Sequence, residues 1–321
     1  MPELPRLNIA HLPTPIDELP RLSKALGGPR LLVKRDDLTG LAFGGNKTRK
    51  LEFLLGEARR QRADVLVTAG PLQSNHCRQT AAAAARFGFE CRLVLSGEPP
   101  AAASANLLLD QLFNAKIIYC ERADRDTKLQ EAFDAARAEG RRPYLIPMGG
   151  SNPTGALGYV FAMEEFAAQN VAADWIVFAS SSGGTQAGML VGARVFNCKS
   201  KLLGISVDEP QRKVQVHVAS LAVETSRKFG SRIRFLADEV PVNGDYCSAG
   251  YGFITEAERA ALRQFAELEG LLLDPVYTGR AAAGLIDLIR KGFFKKDETV
   301  LFWHTGGTPA LFAEQYSSAL V

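Results

Sequence analysis

Trp175-Ile-Val-Phe-Ala-Ser-Ser-Ser-Gly-Gly-Thr-Gln-Ala-Gly-Met-Leu-Val-Gly-Ala-Arg-Val-Phe196 decides the fold class. Trp175 to Ala179 is an apolar run of strand length, rich in aromatic and β-branched residues. Thr185 to Phe196 carries apolar residues at helical spacing. Between them lies Ser180-Ser-Ser-Gly-Gly184. A small-residue loop feeding a helix N-terminus aims unpaired N–H groups and the positive end of the helix dipole at one spot, a cradle for a single phosphate. The pattern is not G-x-G-x-x-G, so the dinucleotide fingerprint fails. A plain turn would not need five consecutive Ser and Gly residues. No charge occurs from Trp175 to Ala193, a length that could span a bilayer, but the polar loop in its middle reads as strand, loop and helix.

The same alternation extends in both directions. Strands are expected at 31–34, 63–68, 90–95, 116–119, 143–147, 202–207 and 299–303. Helices are expected at 48–61, 74–87, 106–113, 126–139, 154–169, 215–228, 255–269 and 279–291. Repeated βα units imply an α/β protein of open, mostly parallel twisted sheets flanked by helices. Met148-Gly-Gly-Ser-Asn-Pro-Thr154 and the glycine-rich 246–252 stretch interrupt the pattern. The units within 52–162 are expected to form a small domain. Residues 1–51 and 163–321 form the large one, with the active site in the cleft between them.

Composition excludes several classes. Of 321 residues, 46% are hydrophobic and 23% charged, which is ordinary globular usage. A net charge of +3 without a basic run gives no nucleic-acid signature. The five cysteines are odd in number and form no C-x-x-C, which fits a reducing, cytoplasmic setting. Met1-Pro-Glu-Leu-Pro-Arg6 has no apolar run, so no signal peptide is expected. The four histidines show no metal spacing, and no metal site is expected. Membrane and nucleic-acid partners are likewise not expected.

Three further segments carry chemistry. Gly44-Gly-Asn-Lys-Thr-Arg-Lys50 places Lys47 at a helix start, where the dipole favours a neutral amine able to form a Schiff base. Gly40 to Thr48 comes one residue short of a P-loop, because Asn46 puts the lysine out of register. A solvated surface lysine remains open on this segment alone. Gln73-Ser-Asn-His76 follows a strand and opens a helix, a site for a substrate carboxylate. Ser74 as a plain helix cap explains one of these residues but not the whole polar cluster. Asp274-Pro-Val-Tyr-Thr-Gly279 opens another helix, and His304-Thr-Gly-Gly307 follows the last strand. Lys47, Ser74, Ser182 and Thr305 all fall beyond expected strand ends or at helix starts, where open α/β sheets bind ligands.

Together these motifs resemble the fold-type II pyridoxal-phosphate (PLP) enzymes, and within them the D-cysteine desulfhydrase and 1-aminocyclopropane-1-carboxylate (ACC) deaminase family. The resemblance runs from Leu12 to Phe312 and adds Lys34-Arg-Asp-Asp37 to the motifs above. It implies PLP as cofactor, held covalently by Lys47 in a tryptophan-synthase-β-like large domain. It implies Asn75 on the ring hydroxyl and Ser182, Gly183, Gly184 and Thr185 on the phosphate. Gln73, Ser74, Asn75 and His76 would bind the substrate. Tyr251 and Tyr277 would line its other side, with Tyr277 a candidate acid or base. Lys47, Ser74, Tyr251 and Tyr277 form the expected catalytic set, and a homodimer is implied.

One departure bears on the reaction. The ACC deaminases carry an acidic residue after the tyrosine matching Tyr277, facing the pyridine nitrogen. Here Thr278 stands in that place, and with Thr305 it implies an unprotonated ring nitrogen, because a hydroxyl supplies no charge. The expected activity is that of a carbon–sulfur lyase: α,β-elimination of D-cysteine to pyruvate, hydrogen sulfide and ammonia. L-Cysteate sulfo-lyase is the alternative, with Arg78 and Arg280 as candidate sulfonate partners. ACC deaminase and a PLP-binding protein without turnover stand behind it.

Overall fold

The computed structural model describes residues 4–320. Val321 and the first three residues of the segment read for a leader lie outside them. In chain order the elements are β1 (Ile16–Glu18), α1 (Pro20–Leu26), β2 (Arg30–Arg35), α2 (Asn46–Arg60), β3 (Val65–Pro71), α3 (Asn75–Phe87), β4 (Glu90–Ser96), α4 (Ala105–Leu112), β5 (Lys116–Cys120), α5 (Arg125–Ala138) and β6 (Pro143–Leu145). There follow α6 (Pro153–Ala168), β7 (Trp175–Ser180), α7 (Gly184–Val195), β8 (Lys201–Ser206), α8 (Gln211–Phe229), β9 (Val242–Asn243), α9 (Glu256–Glu269), α10 (Thr278–Arg290), β10 (Thr299–His304) and α11 (Glu314–Leu320).

The strands make two sheets. One has six strands in the order β1-β2-β10-β7-β8-β9, and the other has four in the order β5-β4-β3-β6. Only β1 runs antiparallel, with Ile16 opposite Lys34. Every other pairing is parallel, as βα crossovers require. All strands of the smaller sheet lie between Val65 and Leu145.

Helix α2 ties the two sheets together. Its Leu51, Leu54, Leu55 and Ala58 pack into the core around β3 and β4, while Phe53 packs into the core of the larger sheet with Tyr159 and Trp303. Each fully buried Leu or Phe contributes about 1.5–3 kcal/mol. Beside them a charged network closes on itself. Arg49 donates to Asp36 at 2.8 and 2.9 Å and to Glu165 at 2.8 and 3.0 Å. Lys34 donates to Glu165 at 2.5 Å, and the Tyr159 hydroxyl to Asp36 at 2.5 Å. Burial pushes the Asp36 carboxyl up, but Arg49 outweighs it and holds the group below its ordinary value.

Four short elements differ from expectation. β1, α1, β9 and α11 have at most seven residues each, too few for periodicity to register. Tertiary contact holds them, as β2 holds β1. Local marks were present at α1: Pro20 in its first turn and Gly27 at its end with φ 58°. The α8 helix starts at Gln211 rather than Gln215, directly after Pro210.

Candidate active site

The carboxyl ends of β3 to β8 and of β10 face one cavity of about 690 Å³ between the two sheets. This is where the doubly wound rule places a ligand. Lys47, Ser74, Asn75, His76, Tyr251 and Tyr277 all line it. So do Ser182, Gly183, Thr185 and Thr305. Residues more than 250 positions apart in the chain thus share one wall.

Lys47 sits one residue into α2, behind Gly44 and Gly45, whose φ values are 62° and 122°. A side chain on Gly44 would strike the Asp37 carbonyl oxygen at 2.0 Å, so this approach requires glycine. Lys47 Nζ donates to Asn46 Oδ1 at 3.0 Å and lies 5.8 Å from the Tyr277 ring centre. Burial lowers its pKa to about 8, with Asp274 opposing and Arg78 reinforcing the shift. The neutral, nucleophilic amine is therefore far more populated near neutral pH than in an ordinary lysine, though still the minor form.

At the other end of the cavity lies a concentration of positive potential. Gly183, at φ 78°, turns the chain into α7. The Ser182 hydroxyl meets Ser151 Oγ at 2.8 Å, and Gly184 N–H donates to the same Ser151 oxygen at 3.2 Å. Lys50, only 1% exposed, donates to the Gly149 carbonyl at 3.1 Å and to Ser151 Oγ at 3.2 Å. Its hydrogen bonds go to a carbonyl and a hydroxyl, not to a carboxylate. Burial, then Lys47, holds its amine well below the ordinary lysine range. A buried amine and a helix N-terminus repel each other unless an anion lies between them. A phosphate ester supplies that anion, so these residues fit the phosphate end of PLP. The sequence reading missed Lys50, Ser151 and Asn46, whose Nδ2 donates to Thr185 Oγ1 at 3.0 Å. Two signals were available: Lys50 stands three residues after Lys47, on the same helix face, and Ser151 lies in the glycine-rich interruption.

The opposite wall is the start of α3. Ser74 caps it, accepting from Cys77 N–H at 3.1 Å, and also lines the cavity, so the capping and site readings both apply. Asn75 and His76 follow in the first turn. His76 Nε2 meets Thr68 Oγ1 at 2.9 Å, and that hydroxyl donates to the Ile146 carbonyl at 2.8 Å. The Nε2 atom therefore carries the proton, and Nδ1 is an acceptor with no protein partner. Burial, then Lys47 and Lys50, keeps His76 neutral. On the third side the Tyr251 and Tyr277 hydroxyls meet at 2.8 Å, their rings at 71°. Burial raises both phenols, so both hold their protons.

Five expected residues lie elsewhere. Gln73 does not line the cavity; its amide holds the start of α4 through Ser104 and Asn106. Gly184 heads α7 behind Ser151 and is likewise off the wall. Thr278 is fully buried, and its hydroxyl is taken up by Asp274, donating to Oδ1 at 2.7 Å and accepting from the Asp274 N–H at 2.7 Å. That pairing follows from Asp274 capping the helix from four residues upstream, with the Val276, Tyr277 and Thr278 N–H groups all donating to it. The carboxylate competes successfully for the hydroxyl that was expected on the pyridine nitrogen. Arg78 is buried against Asn75, Asn106 and the Gly44 carbonyl. Arg280 is buried against Glu258 and the Gly250 and Phe253 carbonyls. Neither arginine faces the cavity; the cations at its mouth are Arg122 and Arg125.

Among the described residues no cluster of potential metal ligands occurs, and no helix is long and apolar enough to cross a membrane. Comparison with known proteins gives one family throughout. The pyridoxal-phosphate-dependent enzyme family matches residues 7–306. A D-cysteine desulfhydrase of Klebsiella pneumoniae subsp. pneumoniae is 45% identical over 320 residues, 96% of each chain. One of Yersinia enterocolitica is 44% identical over 322 residues, 97% of this chain and 96% of the relative. A crystal structure of an ACC deaminase homologue superposes with a TM-score of 0.91 at 38% identity, covering 99% of this chain and 96% of that one. With a covalent-lysine candidate, an anion cradle and a full-length match, this chain belongs to the pyridoxal-phosphate-dependent enzymes.

Proposed function

We propose that the protein is a D-cysteine desulfhydrase, converting D-cysteine and water to pyruvate, hydrogen sulfide and ammonia. The observation that carries this reading is the cavity's three-sided construction, with an amine base, a carboxylate site and paired phenols around one volume. Full-length identity of 44–45% to D-cysteine desulfhydrases supports the substrate. In this reading PLP is held by Lys47 and by the Lys50, Ser182, Gly183 and Thr185 cradle, and it supplies an electron sink for charge at the substrate Cα.

Each wall then has a task. The first turn of α3, with the Ser74 hydroxyl, binds the substrate carboxylate, and Asn75 faces the cofactor's ring oxygen. The Lys47 amine would hold the cofactor and is the base placed to take the Cα proton, a role that its pKa of about 8 suits. The Tyr251–Tyr277 pair, protonated through burial, is matched to donating a proton to the departing thiolate rather than to removing one. Thr305, expected with Thr278 at the ring nitrogen, faces the cavity and offers a hydroxyl there. No carboxylate is thereby supplied, which argues against the cyclopropane-opening chemistry.

The domain division at 52–162 accords with all four strands of the smaller sheet lying inside it. A homodimer accords with the exposed Leu108 and Leu112 on α4 and Phe312 on the neighbouring 308–312 turn. Five free cysteines accord with a cytoplasmic setting.

The test is to supply D-cysteine, L-cysteine, L-cysteate and ACC in turn to the purified holoenzyme. Pyruvate and sulfide from D-cysteine are expected. Pyruvate with sulfite from L-cysteate alone would replace this reading with the sulfo-lyase, and no pyruvate from any would overturn both.

A further inference from the structure

Asn106, in the first turn of α4, is fully buried. Its side chain joins two residues of α3. Arg78 Nη1 donates to Asn106 Oδ1 at 3.0 Å. Asn106 Nδ2 donates to the Gln73 carbonyl at 2.9 Å and to Asn75 Oδ1 at 3.0 Å. The two ends of an amide have nearly the same shape, so its orientation is set by its hydrogen-bond partners. Here the guanidinium sets it. Arg78 can only donate, so the Asn106 atom facing it is the oxygen. The Asn106 nitrogen must then face Asn75, and the Asn75 atom receiving it must be that residue's oxygen. Arg78 Nη1 reaches the same Asn75 oxygen at 3.4 Å. The polarity of one guanidinium is thus passed through two amides, and Asn75 Nδ2 is left as a donor on the side of Gly307 and the cavity.

Position 106 is itself held firmly. Its backbone N–H donates to Gln73 Oε1 at 2.9 Å. Ala105, just before it, has φ 49°. That left-handed conformation is strained for a non-glycine residue and persists only where the surroundings enforce it.

We infer that Asn106 is a positioning residue that keeps the Asn75 amide N–H, rather than its oxygen, turned toward the cofactor's acidic ring oxygen. This rests on the reading above, in which Asn75 faces that oxygen. A donor there favours the ionised oxygen; an acceptor there disfavours it. The test substitutes Asn106→Leu, which removes the donor without adding charge, and titrates the absorbance of the lysine-bound cofactor with pH. The transition midpoint is expected to rise by about one pH unit, and the cofactor dissociation constant of the apoprotein to rise about tenfold. In an Asn75→Ala background the same substitution is expected to move the midpoint no further, because Asn106 acts only through Asn75. Asn106→Ser gives the same reading should the leucine variant not fold. An unmoved midpoint in the single variant, or an equal shift with and without the Asn75 amide, would overturn the inference. A wild-type protein that takes up no PLP would overturn the functional reading instead.

Discussion

Arg49 and Lys50 are neighbours on α2, both buried, and their surroundings differ completely. Arg49 points into the larger sheet and finds two carboxylates, Asp36 and Glu165, within 3.0 Å. Its charge is secured, and the guanidinium is held above its ordinary pKa despite burial. Lys50 lies behind the cavity wall, against Gly149 and Ser151 at the start of α7, and finds only a carbonyl and a hydroxyl. Its amine is driven toward neutrality, and the neighbouring His76 leaves Nδ1 without a partner. Burial alone therefore does not distinguish framework from site. What distinguishes them is whether the chain itself supplies the counter-charge. Around Arg49 it does, and the network fixes α2 between the two sheets. Around Lys50 it does not, and a phosphate-bearing cofactor is the kind of ligand that would bring that charge.

The contrast can be broken most severely at Lys47. With the proposed covalent role, Lys47→Ala is expected to lose turnover by several orders of magnitude and to lose the lysine-bound cofactor band, read by pyruvate assay and absorbance. Turnover near wild type would erase the distinction between the two regions. Next comes the framework: Arg49→Met leaves Asp36 buried without its main cation and is expected to cost about 3–5 kcal/mol of stability, read by urea unfolding. An unchanged midpoint would mean that the network does not brace α2.

Lys50→Met sharpens the comparison because its two readouts separate. Cofactor affinity is expected to fall about 10- to 100-fold, since a charge-assisted bond to phosphate contributes roughly 1.5–3 kcal/mol. The apoprotein should melt no lower than wild type, because the substitution removes a buried amine that has no counter-charge. A large loss of apoprotein stability would place Lys50 with Arg49. The smallest effect concerns pH. Cofactor attachment to the apoprotein should quicken roughly tenfold per unit up to the Lys47 pKa of about 8, then level, as the neutral amine becomes the major form. A rate flat across that interval would show that Lys47 titrates elsewhere.

The alternation of strands and helices was legible because each βα unit is local: an apolar run, a polar turn and a periodic helix lie within about 30 residues. Short elements such as β1 and β9 were not, because three and two residues are too few to carry a period. In the cavity the same division holds. Lys47, Ser74, Asn75 and Thr185 stand at helix starts after strands, and that position is readable from a linear sequence. Gln73, Thr278, Arg78 and Arg280 sit in or beside the same motifs, yet each spends its polar atoms on a partner within the fold: Asn106, Asp274, Asn75 and Glu258. A polar residue's chemical type shows what it can bond. Only the folded chain shows whether that capacity is already taken up, and this is why Lys50 and Ser151 emerged from the structure alone.

Two buried amines with depressed pKa values, Lys47 and Lys50, lie on one face of one helix, and the account assigns the covalent bond to the first. Borohydride reduction of the PLP-loaded protein, followed by peptide mass mapping, reads that assignment directly. The expected result is a pyridoxyl mass on Lys47 with Lys50 unmodified. The modification on Lys50, or on neither lysine, would contradict it.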